Sequence, residues 1–349
     1  MKVAYFQGPK QDPLFEIQDV EIPKPNSNEV LVKNYASALC GTDLHIIDGS
    51  LLRNIRGDWL AYKDLPIVIG HEAAGIVEEI GSSAKRSDIG DRVYTAPNIF
   101  CGYCTYCVRG KTNLCNNRKV IGLHYPGFHS EFFICDEKSL YNLPDNIDFN
   151  TGSLIGDTLG TAYHAIKQIE IKPGDIVSIW GLGPIGITVA QMAKIVGASK
   201  IIAIDIMPER IQLAKDLGMD ICVHSDEAHN VIMELTKNEG VDISIEVSGI
   251  DKVLENAFTT TRKGGKILIV GIHSKKFNLY TLALSYREIS MIGTFSHTFS
   301  EYEHITNLVS SNKIDLKSLI SHNLPLEKIN EAYKLFMAKK TNKVILTFK

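Results

Sequence analysis

Residues 176–186, Ile-Val-Ser-Ile-Trp-Gly-Leu-Gly-Pro-Ile-Gly, decide how the second half of this chain folds. The run Ile176–Trp180 is continuously apolar apart from one serine, which is typical of a buried strand. A Gly-x-Gly-x-x-Gly turn follows and leads into a helical pattern, which is the context that a dinucleotide site requires. The first glycine permits the tight turn, the second lets the backbone approach a pyrophosphate, and the third lets the helix pack on the strand. The pyrophosphate would then lie at the helix N-terminus. The residues predicted to form this site are Gly181, Gly183, Pro184, Ile185 and Gly186.

The next predicted strand, residues 200–205, ends in Asp205. A carboxylate at this position can accept hydrogen bonds from the ribose hydroxyls and would repel a 2′-phosphate, so NAD is favoured over NADP. Arg210 follows within reach of the same ribose. One alternative stays open, in which Asp205 only caps the helix that begins at Pro208.

Strands and helices continue to alternate beyond this point. Further apolar strands are predicted near residues 221–223, 242–247, 266–270 and 288–293. Near-continuously apolar strands separated by helices indicate an α/β fold with a doubly wound parallel sheet, the Rossmann arrangement.

The first 150 residues have a different pattern. Short alternating runs such as 29–33 and 74–81, separated by Gly, Pro and Asn, predict a compact barrel-like β domain. The last apolar run, 344–348, lies outside the complete six-strand sheet, so we expect it to rejoin this β domain. The predicted domains are 1–158, 159–292 and a return to the first domain over 293–349.

Composition restricts the class of protein. The chain has 349 residues, 44% of them hydrophobic and 22% charged, which is ordinary for a soluble globular protein. A net charge of −3 gives no reason to expect nucleic acid or an anionic membrane as partner. The most apolar window, 176–193, contains Gly and Pro and is not a membrane span. Because the N-terminus does not resemble a signal peptide, a cytoplasmic protein is expected.

Four of the seven cysteines fall within one short loop: Cys101, Cys104, Cys107 and Cys115. Two-residue gaps let neighbouring sulfurs converge on one ion, and zinc takes four thiolates in closed structural sites. Such a site leaves no position for a substrate, so its predicted role is to hold the loop together. The alternative is a set of free cysteines or a redox pair.

Two further segments carry chemistry, Cys40-Gly41-Thr42-Asp43-Leu44-His45 and Gly70-His71-Glu72. Together with the four-cysteine loop, the glycine turn and the terminal Ile-Leu-Thr-Phe strand, they resemble the zinc-dependent alcohol dehydrogenases of the medium-chain dehydrogenase/reductase family. The resemblance covers essentially the whole chain. It implies a GroES-like catalytic domain beside the NAD-binding Rossmann domain.

The resemblance also implies a catalytic zinc held by Cys40 and His71. Where many members carry a cysteine as third ligand, this chain has Asp157, as some microbial secondary-alcohol members do. Glu72 is the expected fourth, exchangeable ligand, and the chain would hold two zinc ions. The alternative for Asp157 is a simple helix N-cap.

In the implied mechanism, zinc acts as a Lewis acid on the alcohol oxygen and hydride passes from the alcohol carbon to the nicotinamide. The Thr42 hydroxyl accepts the alcohol proton, which travels through the cofactor ribose to His45 and solvent. Asp43 is expected to orient the imidazole of His71. The alternative for His45 is a histidine that only solvates a loop.

Less specific cofactor contacts are expected at Val247, Val270, Gly271 and Ile272, and Lys343 is expected near the pyrophosphate. The predicted activity is NAD-linked oxidation of primary or secondary alcohols. A polyol, 2,3-butanediol or sugar dehydrogenase on the same scaffold is the alternative, although Gly156-Asp157-Thr158 lacks the Glu-Pro pair common in those members.

Two more distant alternatives are weaker. A zinc-free quinone reductase would not need the predicted ligands, and a NAD-binding sensor would not need an intact Cys40, Thr42 and His71. A homotetramer is expected from the resemblance alone. The long apolar loop 49–64 suggests either a substrate channel or a subunit contact.

Overall fold

The computed structural model describes residues 1–49, 65–273, 276–339 and 341–348. The predicted channel or contact loop 49–64 lies outside the described residues, apart from Gly49. Two compact units are present: Met1–Gly160 with His297–Lys349, and Thr161–Ser296. The sequence placed these transitions after residues 158 and 292.

The strands, numbered in chain order, are β1 (Lys2–Phe6), β2 (Phe15–Asp19), β3 (Glu29–Ala38), β4 (Glu72–Ile80), β5 (Arg92–Thr95), β6 (Asn98–Ile99), β7 (Lys119–Val120), β8 (Phe132–Asp136), β9 (Leu140–Asn142), β10 (Ile176–Trp180), β11 (Lys200–Asp205), β12 (Ile221–His224), β13 (Val241–Glu246), β14 (Thr261–Ile269), β15 (Ser290–Gly293), β16 (Ile320–Pro325) and β17 (Lys343–Thr347). The α-helices are α1 (Gly41–Ile47), α2 (Thr105–Val108), α3 (Phe149–Ser153), α4 (Gly160–Ile169), α5 (Pro184–Ile195), α6 (Pro208–Asp216), α7 (Ala228–Leu235), α8 (Asp251–Thr260), α9 (Thr281–Tyr286), α10 (Tyr302–Ser310) and α11 (Ile329–Met337). No helix in the described ranges combines the length and the apolar character needed to cross a bilayer.

The first unit is built on a sheet with the strand order β16-β17-β3-β4-β5-β9, in which β8 also pairs with β3. The long strand β3 lies antiparallel to β4, with Ala38 opposite Glu72. On its other side β3 pairs antiparallel with β17, with Ala38 opposite Ile345. The prediction that the last strand rejoins the N-terminal domain is therefore confirmed. This register brings the end of β3 next to the starts of both β4 and β17.

The second unit contains six parallel strands in the order β12-β11-β10-β13-β14-β15. Counted from β10, this is the 3-2-1-4-5-6 order of the doubly wound nucleotide-binding fold, so the predicted fold class is confirmed. Gly181 adopts φ +100°, a left-handed conformation that favours glycine. A Cβ at Gly186 would lie 1.9 Å from the Gly181 carbonyl oxygen. The glycine turn therefore packs α5 tightly against the end of β10, as the fingerprint predicts.

Candidate metal centres and cofactor site

The strand register explains why two segments far apart in sequence meet at one site. Ala38 at the end of β3 pairs with Glu72 at the start of β4. Cys40 lies two residues beyond β3, at the N-cap position of α1, and His71 immediately precedes β4. Both side chains are buried. The sheet itself therefore places the thiol beside the imidazole.

Asp157 reaches the same point from a different element. It lies in a π-helical turn, Ile155–Leu159, in which the Leu159 N–H donates to the Leu154 carbonyl oxygen over 3.1 Å. Its Oδ2 lies 3.4 Å from Cys40 Sγ and 3.6 Å from His71 Nε2. The helix N-cap alternative is wrong, because Asp157 lies inside the turn and its carboxylate contacts these two side chains.

These donors fit a zinc ion. Donor atoms of Cys40, His71, Glu72 and Asp157 all lie within 4.8 Å of one another. Zinc bonds of the usual lengths at tetrahedral angles would separate a sulfur donor from an oxygen by about 3.6 Å and a nitrogen donor from an oxygen by about 3.4 Å. The observed distances from Asp157, 3.4 Å to the sulfur and 3.6 Å to the nitrogen, are close to these spacings. One thiolate, one imidazole and one carboxylate therefore form a suitable three-sided zinc pocket.

Glu72 has a second, strong partner in the same pocket. The Lys343 ammonium donates to both Glu72 oxygens at 2.6 Å and to the Leu39 carbonyl oxygen at 3.2 Å. Thr158 Oγ1 donates to Glu72 Oε1 at 3.0 Å. Burial raises the pKa of Glu72 to about 7, an effect that Lys343 opposes. In this arrangement Glu72 belongs to an ion pair as well as to the donor cluster.

The position of Lys343 differs from the sequence prediction, which assigned it to the cofactor pyrophosphate. The side chain is buried at 2% exposure, and three acceptors already occupy its three N–H donors. The physical reason is the strand register. Because β17 pairs with β3, its first residue enters the metal pocket rather than a solvent-facing surface.

Asp43 holds the other end of the histidine. Its Oδ1 lies 3.3 Å from His71 Nδ1, and its Oδ2 accepts a hydrogen bond from the Cys40 backbone N–H at 2.9 Å. Burial lowers the pKa of His71, but Cys40, Asp43 and Asp157 together raise it well above its ordinary value. Although burial raises the pKa of Asp157, His71 holds it well below its usual range. The arrangement leaves Nε2 of His71 facing Asp157, as a metal ligand requires.

A buried polar pair behind this site was missed by sequence reasoning. His129 Nε2 lies 2.8 Å from the Tyr333 hydroxyl, and its Nδ1 lies 3.0 Å from Ser37 Oγ. Burial lowers the pKa of His129 to about 4. A Cβ at Gly70, which has φ +92°, would lie 2.4 Å from the His129 ring. The glycine before His71 was the available signal, since it marks a close approach.

Thr42 and His45 lie three residues apart on α1, so their side chains project from one face of the helix. Thr42 Oγ1 lies 3.8 Å from Cys40 Sγ, at the edge of the donor cluster. His45 is half-buried, and burial lowers its pKa. His45 lies in a helix and not in a solvated loop, and its role in proton release stays a prediction.

The four-cysteine loop forms a second donor cluster. Its sulfur–sulfur distances are 3.5 Å for Cys101–Cys115, 3.6 Å for Cys104–Cys107, 3.9 Å for Cys104–Cys115 and 4.0 Å for Cys101–Cys107. A tetrahedral zinc–thiolate site has sulfurs about 3.8 Å apart. The backbone N–H groups of Cys101 and Asn117 both donate to Cys115 Sγ at 3.3 Å. The loop is therefore shaped to hold one ion with no open position.

In the second unit, Asp205 lies at the end of β11 beside the glycine turn. Its Oδ2 accepts from the Leu182 N–H at 2.6 Å, and its Oδ1 accepts from the N–H groups of Ile206 and Met207. Arg210 Nη1 lies 3.8 Å from Asp205 Oδ2. Asp205 thus bonds the backbone just before α6 and fastens the glycine turn, but it is not the cap of that helix, because Met207 occupies the N-cap position.

The remaining predicted cofactor residues lie at the carboxyl ends of neighbouring strands. Val247 N–H donates to the Trp180 carbonyl oxygen at 2.9 Å. The N–H groups of Val270 and Gly271 donate to the Glu246 carbonyl oxygen at 2.8 and 3.1 Å. Ile272 follows and is 40% exposed. These segments lie along the edge of the sheet where doubly wound folds bind ligands.

Comparison with known proteins agrees with this picture. Residues 26–145 match the model of the alcohol dehydrogenase GroES-like domain, and residues 184–311 match that of zinc-binding dehydrogenases. An L-threonine 3-dehydrogenase of Coxiella burnetii is 31% identical over 331 residues, which cover 93% of this chain and 94% of the relative.

Two solved structures are similar over their whole length. The alcohol dehydrogenase TADH from Thermus sp. ATN1 is 28% identical, with a TM-score of 0.90 and full coverage of both chains. The 2R,3R-butanediol dehydrogenase from Bacillus subtilis is 27% identical, with a TM-score of 0.87 and coverage of 100% of this chain and 99% of that one. The chain therefore belongs to the zinc-dependent medium-chain dehydrogenase/reductase family, whose members are oxidoreductases with a nicotinamide cofactor.

Proposed function

We propose that this protein is an NAD-dependent zinc dehydrogenase that oxidises a secondary alcohol whose neighbouring carbon carries an amino or hydroxyl group. The observation that carries the proposal is the donor triangle of Cys40, His71 and Asp157 with the Thr42 hydroxyl at its edge. L-Threonine is the first substrate to test.

The bound zinc and NAD would supply one part of the chemistry, and the residues of the protein would supply the other. When bound, zinc polarises the substrate hydroxyl and lowers its pKa, and NAD accepts hydride from the carbinol carbon. Thr42 Oγ1 would accept the hydroxyl proton while it releases its own hydroxyl proton towards His45, which lies on the same face of α1. A neutral ring nitrogen of His45 would take up that released proton, because burial lowers the pKa of His45 and favours the neutral base. Asp43 keeps His71 oriented throughout.

The substrate class is supported by the relatives. Among similar proteins are an L-threonine 3-dehydrogenase and a 2R,3R-butanediol dehydrogenase. Both named substrates contain a secondary alcohol, with an ammonium on the next carbon in one and a hydroxyl in the other. The proposal therefore narrows the predicted oxidation of primary or secondary alcohols to secondary alcohols with a polar group on the neighbouring carbon.

The cofactor and metal content complete the proposal. Asp205 presents a carboxylate beside the glycine turn, which favours free ribose hydroxyls over a 2′-phosphate and hence NAD. One zinc would be held by Cys40, His71 and Asp157, with Glu72 available as an exchangeable fourth ligand. The second would be held by the four-cysteine loop.

The test is a steady-state substrate panel with NAD at alkaline pH: L-threonine, 2,3-butanediol, a sugar alcohol, 2-propanol and ethanol. We expect L-threonine or 2,3-butanediol to have the highest kcat/KM. Thr42→Val should lower kcat at least about 100-fold, and Thr42→Ser should retain most activity. A panel led by ethanol or by 2-propanol would overturn the substrate class, and no alcohol oxidation by the zinc-loaded protein would overturn the function.

A further inference from the structure

His273, in the second unit, binds two carboxylates at once. Its Nε2 lies 2.9 Å from Glu246 Oε2, and its Nδ1 lies 3.0 Å from Asp251 Oδ1. Glu246 is the last residue of β13 and is fully buried, Asp251 is the first residue of α8, and His273 follows β14. One imidazole therefore connects three successive segments at the carboxyl edge of the sheet.

The hydrogen-bond partners of His273 determine whether its ring is protonated. An ionised carboxylate only accepts hydrogen bonds, and a neutral imidazole carries a single N–H. Two carboxylate partners on the two ring nitrogens therefore require the imidazolium, which donates from both. Loss of its proton would leave one ring nitrogen and one carboxylate oxygen facing each other as two acceptors.

Glu246 also bonds the segment that packs against the glycine turn. Its Oε1 accepts from the Ser248 and Gly249 backbone N–H groups at 2.7 and 2.9 Å and from Ser248 Oγ at 2.5 Å. A Cβ placed on Gly181 would lie 3.1 Å from the Ser248 backbone nitrogen. His273 is thus linked through Glu246 and Ser248 to the first glycine of the dinucleotide fingerprint.

The segment that carries His273 also packs closely against the loop after β13. A Cβ on Gly271 would lie 2.2 Å from the Gly249 nitrogen and 2.7 Å from Glu246 Oε2. A Cβ on Gly249 would lie 2.5 Å from the Ile272 carbonyl oxygen. The loops after β13 and β14 therefore pack tightly against each other. A change in the hydrogen bonds of His273 would alter the conformation of both loops.

We propose that His273 is a positioning residue: as an imidazolium it clamps the loops after β13 and β14 into the form that binds the dinucleotide, and its deprotonation weakens cofactor binding. The proposal rests on the proposed cofactor. It adds a pH-dependent control of cofactor affinity that is separate from the metal pocket, because every group in the clamp belongs to the second unit.

The sign of the effect follows from the charges that face the ring. Glu246 on β13 and Asp251 on α8 both bond it, and the hydrogen bond from Glu246 is the main cause that raises the pKa of His273 above its ordinary 6.5. Burial opposes this shift. The clamp is therefore closed below the raised pKa and opens as pH rises through it.

The experiment measures NADH binding by nicotinamide fluorescence on the zinc-loaded full chain from pH 5.5 to 9.5. In the unmodified protein the Kd should increase about tenfold across the His273 titration, the loss of one charged hydrogen bond. His273→Gln should bind NADH at the weaker, high-pH level throughout, with a Kd that changes less than about twofold. Asp251→Asn should shift the transition to lower pH, since it removes one of the two charges that favour the imidazolium.

His229→Gln is the matched control, since His229 is exposed on α7, and its profile should match that of the unmodified protein. The imidazole signal lost in His273→Gln identifies His273 by NMR, and its midpoint should lie above 6.5. If His273→Gln fails to fold, Asp251→Asn decides. A pH profile that neither variant alters, or a midpoint at or below 6.5, overturns the clamp. If the unmodified protein does not bind NADH at any pH, the proposed cofactor fails together with this inference.

Discussion

The Lys343 ammonium donates to both carboxylate oxygens of Glu72 at 2.6 Å, in a pocket where the two side chains are 2% and 0% exposed. A lysine paired in this way neutralises one of the negative charges that collect around Cys40 and Asp157. It also competes with a metal ion for Glu72. The pair therefore bears on both the stability of the first unit and the coordination of its metal.

Lys343→Met should lower the free energy of unfolding of the zinc-loaded protein by about 3–5 kcal/mol, because it leaves the Glu72 carboxylate buried without a countercharge. Adding Glu72→Gln should recover much of that loss. Urea unfolding provides the measurement. Lys252→Met is the control, since its pair with Glu255 is exposed and should contribute under about 1 kcal/mol. If Lys343→Met and Lys252→Met lowered the free energy of unfolding equally, the buried Lys343–Glu72 pair would contribute no more to stability than an exposed pair.

Asp157→Asn should lower zinc affinity at the Cys40 and His71 pocket at least about 100-fold, more than the usual effect of removing a residue that only supports a ligand. Asp157→Cys should keep the ion, because thiolate is a good zinc ligand. Competition with a chromogenic chelator measures both. Asp148→Asn serves as control, since Asp148 caps α3 and lies outside the cluster. Retention of zinc by Asp157→Asn with full affinity would remove Asp157 from the ligand set.

Cys104→Ser should reduce the zinc content from two ions per chain to one. We also expect the melting temperature to fall by roughly 5–10 °C, since the loop loses the ion that holds it together. Elemental analysis and calorimetry give the two readouts. Cys222→Ser, which changes a thiol outside both clusters, should retain two ions. A Cys104→Ser protein that still binds two would contradict the structural site.

Asp205→Asn should raise the kcat/KM with NADP relative to that with NAD by about tenfold or more, because the carboxylate charge that repels a 2′-phosphate is gone. The amide oxygen can still accept the hydrogen bond from Leu182 N–H in the glycine turn, whereas the bonds from the Ile206 and Met207 N–H groups are lost. Asp216→Asn, an exposed change on α6, is the control. An unaltered cofactor ratio would show that Asp205 acts only as a support for the turn.

His129 makes stability depend on pH. Its folded-state pKa of about 4 lies below the ordinary value of 6.5, so the unfolded chain takes up a proton first as pH falls. Stability present above pH 6.5 is therefore lost progressively towards pH 4, by about 3 kcal/mol. Denaturant unfolding of the unmodified protein and of His129→Gln between pH 7 and 4 tests this. The losses of unfolding free energy between pH 7 and pH 4 should differ by about 3 kcal/mol between the two proteins, and equal losses would contradict this prediction.

Local patterns were enough to predict most of the fold and the four-cysteine donor cluster. The glycine turn after Ile176–Trp180 specified the doubly wound sheet, and the spacing of Cys101, Cys104 and Cys107 specified a four-thiol cluster. These features depend on residues that are close in sequence. Cys40 and His71 came from the family resemblance, and the β3–β4 register explains physically why they meet.

Long-range pairs could not be predicted in the same way. The register of β17 against β3 decides that Lys343 meets Glu72, and no pattern within residues 343–347 reports it. His129 and Tyr333 lie 204 positions apart and contact only after folding. His273 has no motif around it, and its two carboxylates are contributed by separate segments.

The π-helical turn Ile155–Leu159 has a consequence for how Asp157 could be replaced in evolution or design. A turn closed between residues five apart contains one residue more than a turn of α-helix, and one residue corresponds to about 100° of rotation around the axis. Deleting one residue between Asp157 and α4 is expected to convert the turn to α-helix and to rotate the carboxylate by about 100° relative to α4. The position of a carboxylate beside Cys40 and His71 thus depends on one residue of helical phase as well as on the residue type at position 157.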